Sequence, residues 1–226
     1  MKLNDLYFEY LIPLIFVFVA GCASSRVVKR VYDFEEGTML DWTQVLPIAS
    51  DTLEGPAHTF ENGLLNMKTH AKHATLMVYN QQDIKDCSIE AKIMWRTFST
   101  RYADVPKYSG VWVRLSEKGG YLFGIGKKSN IFTEGAVFGP YKVNPGKDDE
   151  FTKDSFMLKE FHVELNSWYH LKMVAKGSHF TFYLDGEKVG ETENDLFEKG
   201  QLAVYTVSSA EASFDDVIIT YSVDVK

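Results

Sequence analysis

The chain has 226 residues, which allows one or two domains, and its 45% hydrophobic and 24% charged residues lie near the averages of globular proteins. The formal net charge of −7 repels phosphate backbones and argues against a nucleic-acid partner. Aromatic residues make up 14% of the chain and favour β-strands, because their side chains fit a pleated, half-buried surface.

The N-terminus has the features of an export signal. Residues Leu11–Ala20 form an apolar run that is shorter than the roughly 20 residues needed to span a bilayer, but that suits the core of a secretory signal. The run ends in Val19-Ala20-Gly21-Cys22, which resembles the lipobox of bacterial lipoproteins. The resemblance implies a signal peptide over residues 1–21 and lipidation of Cys22. A buried apolar strand or an uncleaved anchor is the alternative.

The predicted anchor sets the expected location of the protein and the state of its cysteines. We expect residues 22–30 to form a lipidated tether and the protein to be anchored in the bacterial cell envelope. Ala23 is not the acidic residue that retains some lipoproteins in the inner membrane, so the outer membrane or the cell surface is expected. If Cys22 carries lipid, Cys87 is the remaining cysteine, and a lone thiol in a strand-like run is predicted to be inert packing.

The mature chain is a series of short β-like runs separated by turn residues, without clean helical periodicity. The predicted strands of its middle and C-terminal thirds are Ser88–Phe98, Gly110–Ser116, Tyr121–Ile125, Trp168–Ala175, His179–Leu184, Glu187–Val189, Gln201–Val207 and Ala212–Ser222. Asp185-Gly186 predicts a type I′ hairpin, in which both central residues have positive φ. Long loops are expected at 99–109 and 127–160, and Glu134–Tyr141 is a candidate for an additional strand.

This spacing of strands predicts an all-β fold, a jelly-roll β-sandwich of two antiparallel sheets over residues 31–226. Motifs across this range resemble concanavalin A-like jelly rolls, which include laminin-G-like and 3-keto-disaccharide hydrolase-like domains. The motifs are Tyr32–Gly37 with Trp42, Ser109–Arg114, Gly120-Tyr121, Trp168–Lys172, Phe182–Val189, Gly200–Val204 and Phe214–Val217. The resemblance implies a concanavalin A-like fold, which hosts lectins, hydrolases, lyases and interaction modules and does not decide the function.

The same resemblance implies a structural calcium ion between the first and last strands. Calcium takes several oxygen ligands from carboxylates and backbone carbonyls. Asp33, Glu35, Asp215 and Asp216 lie in the two regions that would meet, and they are the candidate ligands. The alternative is that Asp215 and Asp216 are solvated or hydrogen-bonded at the start of a strand.

Alternation along two predicted strands suggests a carbohydrate-binding face. One strand alternates apolar residues with Trp112 and Arg114, and the other places Glu90 and Arg96 opposite an apolar face. An aromatic ring flanked by charged groups suits a sugar, whose C–H faces stack and whose hydroxyls bond to planar polar groups. We therefore expect these four side chains on one concave sheet face, with Tyr102, Tyr108 and Tyr141 as candidates from the loops. Ordinary surface polarity, with Trp112 under a loop, is the alternative.

Two other patterns have a weaker link to chemistry. Glu193, Asp195 and Glu198 resemble the Glu-x-Asp-x-x-Glu signature of laminarinase-type glycosidases, in which the outer glutamates are nucleophile and acid/base. The string stands where a loop before the penultimate strand is predicted, so a solvated acidic loop is the expected structure. His70 and His73 have no carboxylate or cysteine at metal-ligand spacing, so no zinc site is predicted.

These observations leave three hypotheses for the function. The first is a lipid-anchored, non-catalytic domain that binds an oligo- or polysaccharide. The second is a glycoside hydrolase or 3-keto-glycoside-type hydrolase that uses the same face, with Glu90 as its carboxylate. The third is a protein-interaction module of the cell envelope. Binding is favoured over catalysis, because a lone acid beside two arginines makes a poor general acid.

Overall fold

The computed structural model describes residues 25–35, 41–45, 58–69, 74–98, 107–127, 134–142, 150–151, 154–207 and 210–224. Its strands are β1 (Ser25–Tyr32), β2 (Trp42–Val45), β3 (His58–Glu61), β4 (Leu64–Lys68), β5 (Ala74–Tyr79), β6 (Cys87–Phe98), β7 (Lys107–Ser116), β8 (Gly119–Lys127), β9 (Gly135–Lys142), β10 (Glu150–Phe151), β11 (Phe156–Glu160), β12 (Trp168–Lys176), β13 (His179–Leu184), β14 (Glu187–Glu193), β15 (Gln201–Val207) and β16 (Ala210–Asp224). In these ranges no helix has the length and apolar character needed to cross a lipid bilayer.

The strands form two antiparallel sheets of eight strands each, which confirms the predicted β-sandwich. Sheet A has the order β14-β13-β12-β6-β16-β4-β3, and β1 also pairs with β16. Sheet B has the order β10-β9-β8-β7-β15-β5-β2, and β11 also pairs with β9. Along the described strands the chain changes sheet eight times, and two of these crossings lie between β6 and β7 and between β15 and β16. These crossings decide which predicted site residues can meet.

The N-terminal strand belongs to the sandwich. Ser25 pairs with Asp224 and Tyr32 pairs with Val217, and the register is unbroken between them. Val28 and Tyr32 pack against the core, which gives the strand apolar burial as well as backbone hydrogen bonds. The predicted tether over residues 22–30 is therefore wrong from residue 25 onward. Cys22 and the predicted signal peptide lie outside the described residues.

Turn chemistry explains the C-terminal hairpins. Asp185 and Gly186 have φ values of 50° and 83°, so both central positions of the β13–β14 turn are left-handed, as predicted.

The additional strand predicted at Glu134–Tyr141 is confirmed as β9. It pairs with β8 on one side and with β10 and β11 on the other. The long predicted loop at 127–160 thus contains much of one edge of sheet B.

The core lies between the two sheets and is rich in aromatic rings. Strand β6 turns Ile89, Ala91, Ile93 and Trp95 inward, as the predicted alternation requires. Phe182 of sheet A packs against Phe138 of sheet B with ring centroids 4.6 Å apart. Each fully buried phenylalanine side chain stabilises the fold by about 1.5–3 kcal/mol, relative to the same side chain left exposed. The core side chains fill the space between the two inner faces, so a binding site can form only on the outer faces of the sheets.

Candidate functional site

The outer face of sheet B carries a second apolar cluster, separate from the core. On β7, Val111 and Val113 point into the core, and Trp112 points to the other side, as predicted. Trp112 joins Tyr108, Tyr205, Leu122, Val78, Val137 and Ala203, with Tyr141 packed against them. Every one of these residues comes from a strand of sheet B. We call this group the outer aromatic cluster.

Three glycines of β8 make room for the rings. A Cβ atom on Gly120 would lie 2.2 Å from Nε1 of Trp112. A Cβ atom on Gly124 would lie 2.4 Å from the hydroxyl oxygen of Tyr205, and one on Gly126 would lie 2.2 Å from the ring of Tyr108. The rings from β7 and β15 therefore cover the glycine backbone of β8. This is the arrangement by which aromatic side chains compensate for glycine in a strand.

The rings meet edge to face, and their polar atoms are deeply placed. The centroid of Trp112 is 5.6 Å from that of Tyr141 and 5.8 Å from that of Tyr205, at interplanar angles of 82° and 77°. Trp112 is 4% exposed and Tyr205 is 1% exposed. Nε1 of Trp112 and the hydroxyl of Tyr205 have no hydrogen-bond partner in the described part of the chain. Tyr141 lies on a strand and not on the predicted loop, but it does meet Trp112.

The environment of Tyr205 keeps its hydroxyl neutral. Burial raises the pKa of this phenol well above its usual value, and the nearby hydroxyls of Tyr108 and Tyr141 raise it further. A neutral phenol both donates and accepts a hydrogen bond. An indole N–H only donates. The two groups lie beside Gly120 and Gly124, four residues apart on β8, so they can serve two separate hydroxyl groups of one ligand.

Arg114 does not share the face of Trp112, and this prediction is wrong. Its backbone has a φ of 55°, and the β7–β8 register shifts between Val113 and Ser116. Such a bulge reverses the alternation of side chains. The guanidinium is 2% exposed and donates to the carbonyl oxygens of Lys85 (3.0 Å), Phe197 (3.1 Å) and Gly177 (2.6 Å).

Glu90 and Arg96 are also separated from Trp112, and the single face predicted for them is wrong. Both lie on β6 of sheet A, whereas Trp112 lies on β7 of sheet B. Their side chains point away from the core of a two-layer sandwich, so the two groups lie on opposite outer surfaces. The physical reason is the crossing between the two strands, which sequence alternation does not reveal.

Glu90 lines a small depression on the outer face of sheet A. Its carboxylate pairs with Nζ of Lys172 at 2.7 Å and lies 3.5 Å from Nε2 of His170. Tyr183 and Gly186 complete the lining of a depression of about 350 Å³. An acid, an imidazole, an amine and a phenol thus meet at one place, and all four groups can exchange protons.

Arg96 lies in a second, polar depression on the same face. Its Nε donates to Oγ of Ser213 (2.9 Å), and that hydroxyl donates to Oδ1 of Asn66 (2.6 Å). The chain of hydrogen bonds crosses β6, β16 and β4 and borders a depression of about 500 Å³. None of its lining residues is aromatic, so it offers no surface on which a sugar ring could stack.

The four candidate calcium ligands do not form a metal site as placed. Asp215 accepts a hydrogen bond from the backbone N–H of Asp216 (2.7 Å), and Asp216 pairs with Lys92 (2.5 Å). The carboxylate of Asp33 accepts the N–H of Glu35 (3.3 Å), as in an ordinary turn. In the ranges that the structure describes, no group of three acidic, histidine or cysteine side chains could hold a metal ion. These residues therefore do not fit the predicted calcium ion.

The acidic string has the predicted character of a solvated loop. Glu193 ends β14, and Asp195 and Glu198 are exposed. Glu198 pairs with Lys85 at 2.5 Å, and Asn194 accepts hydrogen bonds from Tyr121 (2.8 Å) and from its own loop. His70 and His73 lie outside the described residues.

Sequence reasoning missed Tyr205 as a neighbour of Trp112, and it placed Tyr108, which lies on β7, in a loop. The third tyrosine expected from a loop, Tyr102, lies outside the described residues. A signal for Tyr205 and Tyr108 is present in β8, where Gly120, Gly124 and Gly126 fall on one side of the strand. Glycines at such spacing indicate that another group covers the backbone. The position of Gly120 next to Gly119 favoured its interpretation as part of a turn instead.

The comparisons with known proteins agree with this architecture. The sequence profile of the family described as "3-keto-alpha-glucoside-1,2-lyase-like domain" matches residues 32–220. No curated protein matches the chain. The carbohydrate binding module CBM66 from Bacillus subtilis is 21% identical, with a TM-score of 0.54 over 80% of this chain and 95% of that chain.

Two further solved structures have the same fold with lower identity. The winged bean acidic lectin complexed with methyl-alpha-D-galactose is 8% identical, with a TM-score of 0.57 over 87% of this chain and 99% of that one. The endo-beta-1,3-glucanase from Pyrococcus furiosus is 11% identical, with a TM-score of 0.55 over 89% and 96%. The predicted concanavalin A-like fold is therefore confirmed, in a group that includes both lectins and glycoside hydrolases.

Proposed function

Because the chain belongs to the 3-keto-alpha-glucoside-1,2-lyase-like domain family, we propose that it is an exported, lipid-anchored protein that binds a saccharide through the outer aromatic cluster of sheet B. The apolar run Leu11–Ala20 and the motif that ends in Cys22 support export and lipidation. The outer membrane or the cell surface is the proposed location. Loss of radiolabelled palmitate from a Cys22→Ser variant tests the anchor separately from the sugar site.

The proposal is carried by two polar atoms of the aromatic cluster that have no partner among the described residues. Leaving a buried donor without a partner costs about 1–3 kcal/mol. One sugar hydroxyl that accepts from Nε1 of Trp112, and a second one that bonds the hydroxyl of Tyr205, would offset this cost. An apolar face of the sugar would pack on the ring of Tyr141, which is partly exposed beside Trp112. The site thus combines the stacking surface and the hydrogen-bonding groups that a saccharide needs.

The composition of sheet B favours binding over hydrolysis at this face. Strands β5, β7, β8, β9 and β15 contain no aspartate or glutamate. A retaining glycosidase needs two carboxyl groups about 5–5.5 Å apart, and an inverting one needs two that are farther apart. The described strands around Trp112 supply neither. The proposed role is therefore that of a saccharide-binding domain.

A second candidate function is a lyase or hydrolase that acts on the glycosidic bond of a 3-keto-α-glucoside, as the family description suggests. The depression lined by Glu90, His170, Lys172 and Tyr183 favours it, because these groups could move protons. Catalysis there would take place on sheet A, away from Trp112.

One titration separates the two functions. The mature chain in detergent would be titrated calorimetrically with α- and β-linked oligosaccharides and with 3-keto-α-glucosides, and the same samples would be analysed for products. We expect heat without turnover, and at least tenfold weaker binding for Trp112→Phe, which keeps a ring but removes Nε1–H. The matched control is Trp168→Phe, because Trp168 is 41% exposed on sheet A. Turnover that is lost in Glu90→Gln would replace binding with catalysis.

A further inference from the structure

Strand β1 is an unusual edge. Among the described residues it pairs only with β16, so its other side offers unpaired backbone groups. Val27 is 64% exposed and Val31 is 57% exposed. They are two of the five large hydrophobic side chains that are exposed in the described part of the chain. Because Val28 and Tyr32 face the core, Val27, Lys29 and Val31 lie on the outer side of sheet A.

The charge of this strand is opposite to that of the protein. Ser25–Tyr32 contains Arg26, Lys29 and Arg30 and no acidic residue, in a chain whose net charge is −7. Arg30 also hydrogen bonds to Tyr79, which fixes its position at the strand. On the outer side, Lys29 stands between the two exposed valines. This arrangement matches a lipid headgroup layer, which takes up apolar side chains at its inner boundary and cations at its anionic surface.

The position of the strand relative to Cys22 brings it to such a layer. Ser25 follows Cys22 by three residues, which span at most about 10 Å when fully extended. The headgroup region of a bilayer leaflet is of similar thickness, about 5–8 Å. A lipid on Cys22 would therefore hold the first residue of β1 at the headgroups, since only two residues separate Cys22 from Ser25 in the sequence.

We propose that the outer side of β1 lies on an anionic phospholipid surface and fixes the orientation of the whole domain. The proposal rests on the lipidation of Cys22 within the proposed function. Val27 and Val31 would enter the headgroup layer, and Lys29 between them would pair with a lipid phosphate. The outer aromatic cluster lies on the opposite sheet, so this orientation turns the saccharide face away from the membrane.

The test uses single cysteines at Val27 and Val31 in the mature, lipidated chain, labelled with an environment-sensitive fluorophore. The native Cys87 is buried, and burial raises its pKa to about 12, so it does not compete for the label. Leu165 is the matched control, because it is an exposed aliphatic residue (41%) near the opposite end of β6. The chain would be reconstituted into vesicles of phosphatidylethanolamine and phosphatidylglycerol.

We expect lipid-borne nitroxide to quench both β1 labels at least threefold more than the label at Leu165. The excess should fall by more than half in phosphatidylcholine vesicles and in a Lys29→Glu variant. Equal quenching at all three sites would overturn the proposal. Quenching at Val27 without quenching at Val31 would also overturn it, because the strand would then stand upright on the membrane. A label shift that persists in detergent without vesicles would assign β1 to a second copy of this chain and would also overturn it.

The same samples keep the two proposals distinguishable. Sedimentation with the vesicles reports whether the chain is anchored at all, and a chain that stays in solution contradicts the lipidation of Cys22. Saccharide titration of the anchored chain reports the function of sheet B. An anchored chain that binds sugar and shows no excess quenching contradicts the orientation alone.

Discussion

Trp112 and Arg114 are two residues apart on β7, yet their side chains lie on opposite sides of sheet B. Trp112 belongs to the outer aromatic cluster, whereas the guanidinium carbon of Arg114 lies 5.1 Å from the centroid of the core residue Phe180. Residues i and i+2 of a regular strand share a face, so the opposite directions of Trp112 and Arg114 arise from the bulge after Val113. Because of the bulge, Arg114 does not face a ligand as predicted. Its guanidinium instead hydrogen bonds to three connecting segments of the chain, at Lys85, Phe197 and Gly177.

Replacement of Arg114 by methionine should destabilise the protein strongly. The side chain keeps much of its volume but leaves the carbonyl oxygens of Lys85, Phe197 and Gly177 without their donor. An unsatisfied buried group costs about 1–3 kcal/mol, so we expect a loss of at least about 3 kcal/mol. Arg114→Lys should recover part of it, since an ammonium cannot reproduce the planar fork. Urea unfolding measures both, and a loss below about 1 kcal/mol for the methionine variant would contradict the assignment.

The comparison of these two residues shows how far the sequence could predict the site. Alternation placed Val111 and Val113 in the core and Trp112 on the outer face correctly, because burial imposes a period of two on a strand. The bulge at Arg114 could not be predicted, because an arginine with positive φ has no sequence signature. The turn at Asp185-Gly186 could be predicted, since that dipeptide tolerates positive φ at both positions.

Replacement of Gly120 by alanine should disturb the aromatic cluster. The new methyl group would lie 2.2 Å from Nε1 of Trp112 and 2.9 Å from the carbonyl oxygen of Arg114, so the indole must move. Overpacking of this kind costs about 1–3 kcal/mol. We expect this loss in urea unfolding together with a changed near-ultraviolet circular dichroism signal and weaker saccharide binding.

Gly186→Ala is the matched control for backbone effects. Nothing lies within 4 Å of a Cβ atom at Gly186, but its φ is 83°. The variant should lose about 1 kcal/mol through strain and keep the aromatic signal and the saccharide affinity. If both variants changed the aromatic signal equally, the contact with Trp112 would not be its cause.

The separation of Glu90 from Trp112 has a different origin from that of Arg114. Alternation gave each of the two strands an outward face, and the prediction assigned both faces to one concave sheet. Here β6 and β7 belong to different sheets, because the jelly roll crosses between layers at this point. Local patterns predicted each strand and its faces, but the pairing of strands depends on contacts between distant parts of the chain. The same limit hid β1, whose partner is the C-terminal strand.

The ion-pair cluster at Glu134 should make stability depend on pH in acid. Burial by itself would raise the pKa of this carboxyl, but hydrogen bonds from Lys127 and from the N–H of Val163 outweigh burial and lower it below 4.5. A depressed folded pKa gives stability that is present above pH 4.5 and lost as the pH falls below it. Glu134→Gln should flatten this decline and cost about 1 kcal/mol at neutral pH. The control Glu198→Gln, in an exposed pair with Lys85, should change stability by less than about 0.5 kcal/mol.

Cys87 should make the stability of the protein decline in alkali, whereas Glu134 makes it decline in acid. Burial raises the pKa of its thiol from 9.0 to about 12, so the unfolded chain loses this proton at lower pH than the folded chain does. The stability contribution is complete below pH 9 and declines as the pH rises toward 12, by up to about 1.4 kcal/mol per pH unit. Cys87→Ala should reduce that decline over pH 9–11.

At pH 8, a folded chain whose Cys22 is lipidated or replaced by serine should not react with a thiol reagent until urea unfolds it. Rapid labelling of the folded chain would show that β6 opens at this residue and would contradict the buried, inert role.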